Sequence, residues 1–291
     1  MTRGELVAEL AAMLGARHEA RFIVDEVTGT TGGGDRSAIG AGAVEEARAM
    51  AARRSAGEPL QYILGHWAFR TLDLIVDPRV LIPRPETEQV VEVAVGELAA
   101  LGASAPVMVD LGTGSGAIAL SLATEVAAVG GGGCVWAVDA SADALDVAAA
   151  NLERVAKDWR GPTPMLPVSF VQGQWCEPLP DALRGSVDLV VSNPPYVDAS
   201  EWAWLPCDVR HEPRPALVSA PGSDGSPGLH DVETVLAQAV RWLGCPGSAV
   251  VELAPHQSEA AIRMALRLGY SEARIEPDLA GVPRALVARR R

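Results

Sequence analysis

Residues 107–123 read VMVDLGTGSGAIALSLA. An apolar run with Asp110 inside it passes straight into glycines at 112, 114 and 116, and then into an apolar stretch of helical length. That order predicts a strand, a tight turn and a helix, the opening unit of a parallel α/β sheet. Glycine adopts positive φ readily and lets the backbone approach a ligand closely, as a nucleotide-type cofactor requires. By itself the turn suits NAD, FAD or S-adenosylmethionine equally, and a plain tight turn as well.

Outward from this unit, short apolar runs alternate with helical stretches. CVWAVD (134–139) precedes ADALDVAAANLERV (142–155), VSFVQG (168–173) and VDLVVSNPPY (187–196) follow, SAVVEL (248–253) precedes SEAAIRMALRLG (258–269), and ALVARR (285–290) ends the series. Such alternation implies a parallel sheet with helices on both faces. GGGG at 130–133 marks a turn before the second strand. Upstream, Leu6, Leu10, Met13 and Leu14 recur at helical spacing, as do Ala43, Ala47, Met50 and Ala51. The glycine-rich 28–40 connects the two helical stretches, and Gly57 and Pro59 end them. LQYILGHWAFRTLDLIVDP (60–78) is rich in aromatic and β-branched residues, which predicts a short hairpin. In IPRPETEQ (82–89) two prolines postpone the next helix, with Thr87 at its start and 88–100 as its body. The domain expectation is therefore a helical domain over 1–57, a hairpin linker over 58–86 and a catalytic domain over 87–291.

The second strand ends in Asp139, a position from which a carboxylate can accept the two hydroxyls of a ribose. A competing reading makes Asp139 or Ser141 the N-cap of the helix from Ala142. Two features separate the cofactors. The spacing DxGxGxG departs from the GxGxxG rhythm in which a helix N-terminus meets a pyrophosphate. Asp110, just before the glycines, suits a positively charged methionyl group. S-adenosylmethionine carries a sulfonium and an ammonium and no phosphate, so these acids favour it.

Asn193-Pro194-Pro195-Tyr196 follows the fourth strand of the sheet directly. In an open α/β sheet ligands sit beyond the carboxyl ends of the strands, which puts this tetrad and the glycine turn on one crevice. A planar amide or amine nucleophile needs acceptors for two N–H groups, and the Asn193 carboxamide oxygen and Pro194 carbonyl can supply them. The prolines stiffen the loop, and Tyr196 can stack on the planar group. Orientation and electrostatics then carry the chemistry. His66, His211, His230 and His256 have no paired acid or nucleophile motif and read as ordinary surface or core residues. Trp202 and Trp204 either pack the loop or touch a protein substrate, and Glu252, closing a strand, is either a cleft or a structural carboxylate.

Composition narrows the function class. Formal net charge is −13, and residues 87–291 carry 14 basic against 25 acidic side chains. Duplex nucleic-acid binding usually needs the opposite balance, so no direct nucleic-acid partner is expected. The cysteines at 134, 176, 207 and 245 show no CxxC and no histidine at ligand spacing, so neither a metal nor a disulfide framework is expected. The N-terminal stretch carries acids among its apolar residues and no apolar run reaches spanning length. The expected location is the cytoplasm, with no membrane partner.

Five segments together resemble the release factor glutamine methyltransferases. They are GEPLQYILGHWAFRTLDLIVDPRVLIPRPETE (57–88), DLGTGSGAIALSLA (110–123), AVDASADALDVAAANLER (137–154), DLVVSNPPYV (188–197) and DLAGVPRALVARR (278–290). The resemblance implies a class I, Rossmann-like, seven-stranded methyltransferase domain behind a small helical domain that grips the release factor. It implies S-adenosyl-L-methionine as cofactor, S-adenosyl-L-homocysteine as product, and the glutamine of the Gly-Gly-Gln loop of peptide chain release factors as substrate. By position, Gly112, Thr113, Gly114, Ser115 and Gly116 would line the methionyl part, Asp139 would bind the ribose and Trp175 would pack near the adenine. Asn193, Pro194, Pro195 and Tyr196 would hold the glutamine amide, and Arg84 and Glu86 would wall the site. Glu252-Leu253-Ala254 and the long 219–230 loop depart from the family pattern. The same chemistry on a ribosomal-protein glutamine, and amino-methylation of a flipped DNA or RNA base, are the alternative substrates.

Overall fold

The computed structural model describes residues 1–30 and 32–291, so Thr31 of the glycine-rich connector lies outside the described residues. The chain divides into two compact units, one of Met1–His66 with Leu205–His211 and one of Trp67–Trp204 with Glu212–Arg291.

In the first unit, α1 (Arg3–Leu14) opens with a capping box: Thr2 Oγ1 accepts the Glu5 N–H, and the Glu5 carboxylate accepts the Thr2 N–H. α2 (Arg17–Thr28) and α3 (Ala41–Ser55) pack with α1 around Leu6, Leu10, Ile23, Val24, Ala47 and Met50. Met13, expected on the buried face, is exposed. Buried Arg3 pairs with Asp25, and Arg54 holds Glu19 through two hydrogen bonds of 2.9 Å. Residues 60–64, expected to begin a hairpin, form a short helix instead, α4 (Leu60–Leu64), which places Leu60 and Ile63 in the same core. A five-residue segment read mainly from its aromatic and β-branched content leaves helix and strand indistinguishable, and here burial of one helical face decides.

The hairpin proper is β1 (His66–Phe69) and β2 (Leu72–Ile75). α5 then runs Pro85–Leu101, two to three residues earlier than the prolines suggested, because Pro85 occupies the first turn, where no N–H is needed. The succeeding elements are β3 (Val107–Leu111), α6 (Ala117–Ala128), β4 (Cys134–Asp139), α7 (Ala142–Asp158), β5 (Val168–Gln172) and β6 (Val187–Ser192). A two-residue pair, β7 (Val197–Asp198) and β8 (Val218–Ser219), follows, then α8 (His230–Trp242), β9 (Leu243–Glu252), α9 (Ser258–Arg267), β10 (Glu272–Pro277) and β11 (Pro283–Arg290).

Seven strands form one sheet in the order β10-β11-β9-β6-β3-β4-β5, parallel apart from β11, which runs antiparallel to both neighbours. The period-2 alternation of strands separates two cores. Met108, Leu189, Val191 and Val250 face the layer of α5 and α6, while Val109, Val190, Ala249 and Val251 face α8 and α9. The chain leaves β3 toward β4 on one side and reaches β6 on the other, which makes the carboxyl ends of β3 and β6 the topological switch point. Ser192 Oγ donates to the Leu111 carbonyl at 2.6 Å, tying those two ends together. No helix among the described residues is long and apolar enough to cross a membrane.

Candidate active site

The glycine turn is fixed from beneath. Asp110 is fully buried, and its Oδ2 accepts from Thr113 Oγ1 at 2.7 Å and from the Ala119 N–H at 3.1 Å. Burial outweighs those two donors and pushes its carboxyl up to about 7. The Asp110 side chain is therefore under the turn, not in the cleft above it. Gly112 and Thr113 donate to the Val138 carbonyl, which locks the turn to the end of β4. Gly112 has φ +74°, and a Cβ there would lie 3.6 Å from the Trp175 ring, in the gap between turn and indole. Trp175 itself holds φ +47°, a left-handed backbone uncommon for a bulky residue and found mostly at functional sites.

Above the turn lies a cleft of about 350 Å³ lined by Gly112, Gly114, Asp139, Ser141, Trp175 and Asn193, among others. The cap of α7 and the acid of the cleft are two different residues. Ser141 caps α7, its Oγ accepting the Ala144 N–H. Asp139 lines the cleft, with Oδ2 accepting from the Gly114 N–H at 2.8 Å and Oδ1 from the Ser141 N–H at 2.9 Å. Burial raises its pKa, against those backbone donors. Each oxygen keeps a lone pair for a ligand hydroxyl. An acid and an indole lining one cleft, above turn glycines without side chains, fit the nucleoside and cationic methionyl parts of S-adenosylmethionine.

Asn193 also borders a second cavity, of about 30 Å³, with Pro194, Tyr196, Leu81, Arg84 and Leu217. Pro195 lines the larger cleft, whereas Pro194 and Tyr196 line only the smaller one. The structure thus brings the tetrad and the turn onto adjoining cavities that share Asn193, Leu81 and Ala216. Asn193 Nδ2 donates to Thr87 Oγ1 at 3.2 Å, which leaves Oδ1 as its acceptor.

Two family models match the chain: the PrmC N-terminal domain over residues 5–65 and the methyltransferase small domain over 96–204. The release factor glutamine methyltransferase of Gloeobacter violaceus is 41% identical over 231 residues, covering 79% of this chain and 73% of that one. That of Streptomyces coelicolor is 41% identical over 243 residues, covering 83% and 79%. The chain belongs to the release factor glutamine methyltransferase family. It is an S-adenosylmethionine-dependent methyltransferase. The fold agrees with distant solved structures: the catalytic domain of hMettl16 (TM-score 0.54, 14% identity, 85% of this chain and 81% of that one) and the Thermus thermophilus 16S rRNA methyltransferase RsmC (0.52, 16%, 78% and 50%).

Several residues bonded to the tetrad escape the motif reading. Thr87, expected only to start a helix, is buried and donates through Oγ1 to Glu252 Oε2 at 2.7 Å. Glu252, fully buried, also accepts from Tyr196 Oη at 3.2 Å, and burial pushes its carboxyl up to about 7. Tyr196 is itself raised by burial and by Glu252. Gln257 Nε2 donates to the carbonyls of Tyr196 and Pro227, fixing the tetrad backbone. The long 219–230 loop reaches the tetrad at Gly228, where a Cβ would come within 2.2 Å of the Tyr196 carbonyl oxygen. Arg84 lines the smaller cavity, while Glu86 faces Arg284 at 3.6 Å. Trp202 lies under the Arg214 guanidinium, 5.3 Å from its ring centroid, and Trp204 is exposed. No histidine lines either cavity, all four cysteines are free, and no metal-binding cluster occurs among the described residues.

Proposed function

We propose that this enzyme methylates the side-chain amide nitrogen of the glutamine in the Gly-Gly-Gln motif of peptide chain release factors. The single observation that carries the reading is Asn193. Its carboxamide stands where the larger and smaller cavities meet, with Nδ2 committed to Thr87 and Oδ1 left to accept. S-adenosylmethionine, bound over the glycine turn and Asp139, supplies an electrophilic methyl group. The chain's task is to hold a neutral nitrogen. Asn193 Oδ1 and the Pro194 carbonyl accept the two amide N–H groups, which orients the nitrogen and draws electron density toward it. The rigid Pro-Pro backbone, tied by Gln257 at Tyr196, keeps that carbonyl aimed. As the N–C bond forms, the methyl's bond to the sulfonium would break, its electron pair staying on sulfur to leave S-adenosylhomocysteine, and the nitrogen gives up one proton through these acceptors to solvent. Asp139 would hold the ribose hydroxyls, and Trp175 would lie beside the adenine. The helical unit, which matches the PrmC N-terminal domain, is proposed to grip the release factor. The acidic charge of −13 favours a protein over a nucleic-acid target.

The test is a transfer assay with radiolabelled S-adenosylmethionine, offering purified release factor, ribosomal proteins and duplex DNA side by side, followed by peptide mass spectrometry. Label on the Gly-Gly-Gln glutamine is expected. Label confined to ribosomal protein or DNA would move the substrate assignment there.

A further inference from the structure

The Asn193 side chain can do its work in only one of two orientations. A carboxamide flipped about its terminal torsion swaps oxygen for NH₂ at nearly the same volume, so shape alone selects poorly between them. Hydrogen-bond polarity selects instead. Glu252 is buried at the end of β9, and its two oxygens receive Thr87 Oγ1 at 2.7 Å and Tyr196 Oη at 3.2 Å. Thr87 has one hydroxyl proton, and the short contact to the ionised Glu252 carboxylate takes it. What Thr87 then offers Asn193 is a lone pair, which only the NH₂ of the carboxamide can use, and the observed partner is Nδ2. The three residues come from the start of α5, the end of β9 and the loop after β6, so nothing local forces them together.

Resting on the function proposed above, we propose that Thr87 and Glu252 are positioning residues: the Glu252–Thr87 hydrogen bond fixes the flip state of Asn193 and so restricts the site to a primary carboxamide. A glutamine presents an N–H to Asn193 Oδ1 and is accepted. A glutamate of the same shape presents only acceptors, which meet Oδ1 and the Pro194 carbonyl with no proton between them, and is refused. Without the relay Asn193 turns in part, its NH₂ reaches the substrate pocket, and the distinction between the two side chains weakens.

The experiment compares Thr87→Val, which keeps the volume and removes the hydroxyl, with Thr87→Ser, which keeps the hydroxyl, and with Glu252→Gln. Turnover is read alongside the dissociation constants of two probes measured in S-adenosylhomocysteine: release factor with its Gly-Gly-Gln motif, and the same factor with that glutamine changed to glutamate. The expected result for Thr87→Val is a fall in kcat of roughly 10- to 100-fold, the size seen when a reacting group loses its fixed geometry. KM and cofactor affinity should change little, and the preference for glutamine over glutamate should shrink. Thr87→Ser should recover most of both losses, and Glu252→Gln, which keeps one acceptor oxygen, should fall between. Wild-type kcat and wild-type discrimination in any folded Thr87→Val or Glu252→Gln protein would overturn the proposal, as would a Thr87→Ser variant as impaired as Thr87→Val. Failure of the underlying function reads differently: Asn193→Ala would then retain turnover, whatever Thr87 does.

Discussion

Glu212 Oε2 accepts the backbone N–H of Ile82 at 2.9 Å, across 130 residues of sequence, while its other oxygen pairs with Arg84. One carboxylate, only 4% exposed, thereby holds the 77–84 strap whose Leu81 and Arg84 wall the smaller cavity. Removing it strands a buried N–H and an arginine together. Glu212→Ala should cost about 2–4 kcal/mol of stability, and Glu212→Gln about half that, since the amide oxygen still accepts from Ile82. Urea denaturation followed by tryptophan fluorescence measures it, and a loss for Glu212→Ala below about 1 kcal/mol contradicts the bracing role.

Asn193→Ala removes the acceptor at the junction of the two cavities and leaves the cofactor cleft intact on its other walls. Turnover should drop on the order of 100-fold or more, the loss typical of one preorganised hydrogen-bond partner. Cofactor affinity should stay within a few-fold in a calorimetric titration. Turnover near wild type would refute the assignment of Asn193.

Much of this site was legible because its parts are contiguous in sequence. The glycine turn, Asp139 and the tetrad each sit at the end of a strand, and strand ends in a parallel sheet converge by topology. The relay of Thr87 and Glu252 was not legible. A threonine in a helix's first turn and an acid closing a strand are ordinary residues until tertiary structure places them 2.7 Å apart. Among the fold elements the sequence does not announce, α8 and β10 share a cause. α8 lacks a side-chain cap and follows a glycine- and serine-rich loop, so its start is marked only by the acids Asp231 and Glu233 of its first turn. β10, EARIEP, lies at the sheet edge and is half-buried on both faces, so its sequence carries no apolar alternation. Its place just before the glycines points Asp110 toward the cofactor, whereas its hydrogen bonds to Thr113 and Ala119 turn it toward the protein interior.

Gly228 is where the 219–230 loop presses on the tetrad. Its φ is +66°, and an added Cβ would stand 2.2 Å from the Tyr196 carbonyl oxygen, with backbone as the obstacle. Gly228→Ala therefore strains both the residue and the tetrad, at a cost of about 1–3 kcal/mol for the backbone conformation alone. Turnover should fall more than cofactor affinity, because the displaced backbone is that of Tyr196 and not of the glycine turn. Paired kinetic and calorimetric measurements check this, and equal loss in both would place the damage elsewhere.

Asp139→Ala should act on the opposite side of the reaction. The change removes the candidate ribose acceptor and frees the Gly114 and Ser141 N–H groups. Affinity for S-adenosylmethionine should weaken by roughly 10- to 100-fold, equivalent to one or two lost hydrogen bonds to a charged group. Turnover at saturating cofactor should be affected less. Unchanged affinity would remove Asp139 from the cofactor site.

Stability against pH tests the buried carboxylate under the turn. Burial lifts Asp110 to about 7, so between the ordinary carboxylate range and pH 7 the folded protein holds a proton that the unfolded chain has released. The folded state binds more protons, and its stability must fall as pH rises through that window, by up to about 1.4 kcal/mol per pH unit for one such group. Glu97 acts with the opposite sign and elsewhere: buried, yet held near 2 by Arg289 and Arg274, it costs stability only as pH falls below the ordinary range. Asp110→Asn removes the ionisation while keeping an oxygen for Thr113 and Ala119. The variant will differ from wild type by a constant offset, because its NH₂ replaces an Oδ1 that has no hydrogen-bond partner among the described residues. The slope is the readout. Denaturation curves between pH 5 and about 7.5 should decline more steeply for wild type than for Asp110→Asn, and parallel curves would mean that Asp110 ionises at its ordinary value.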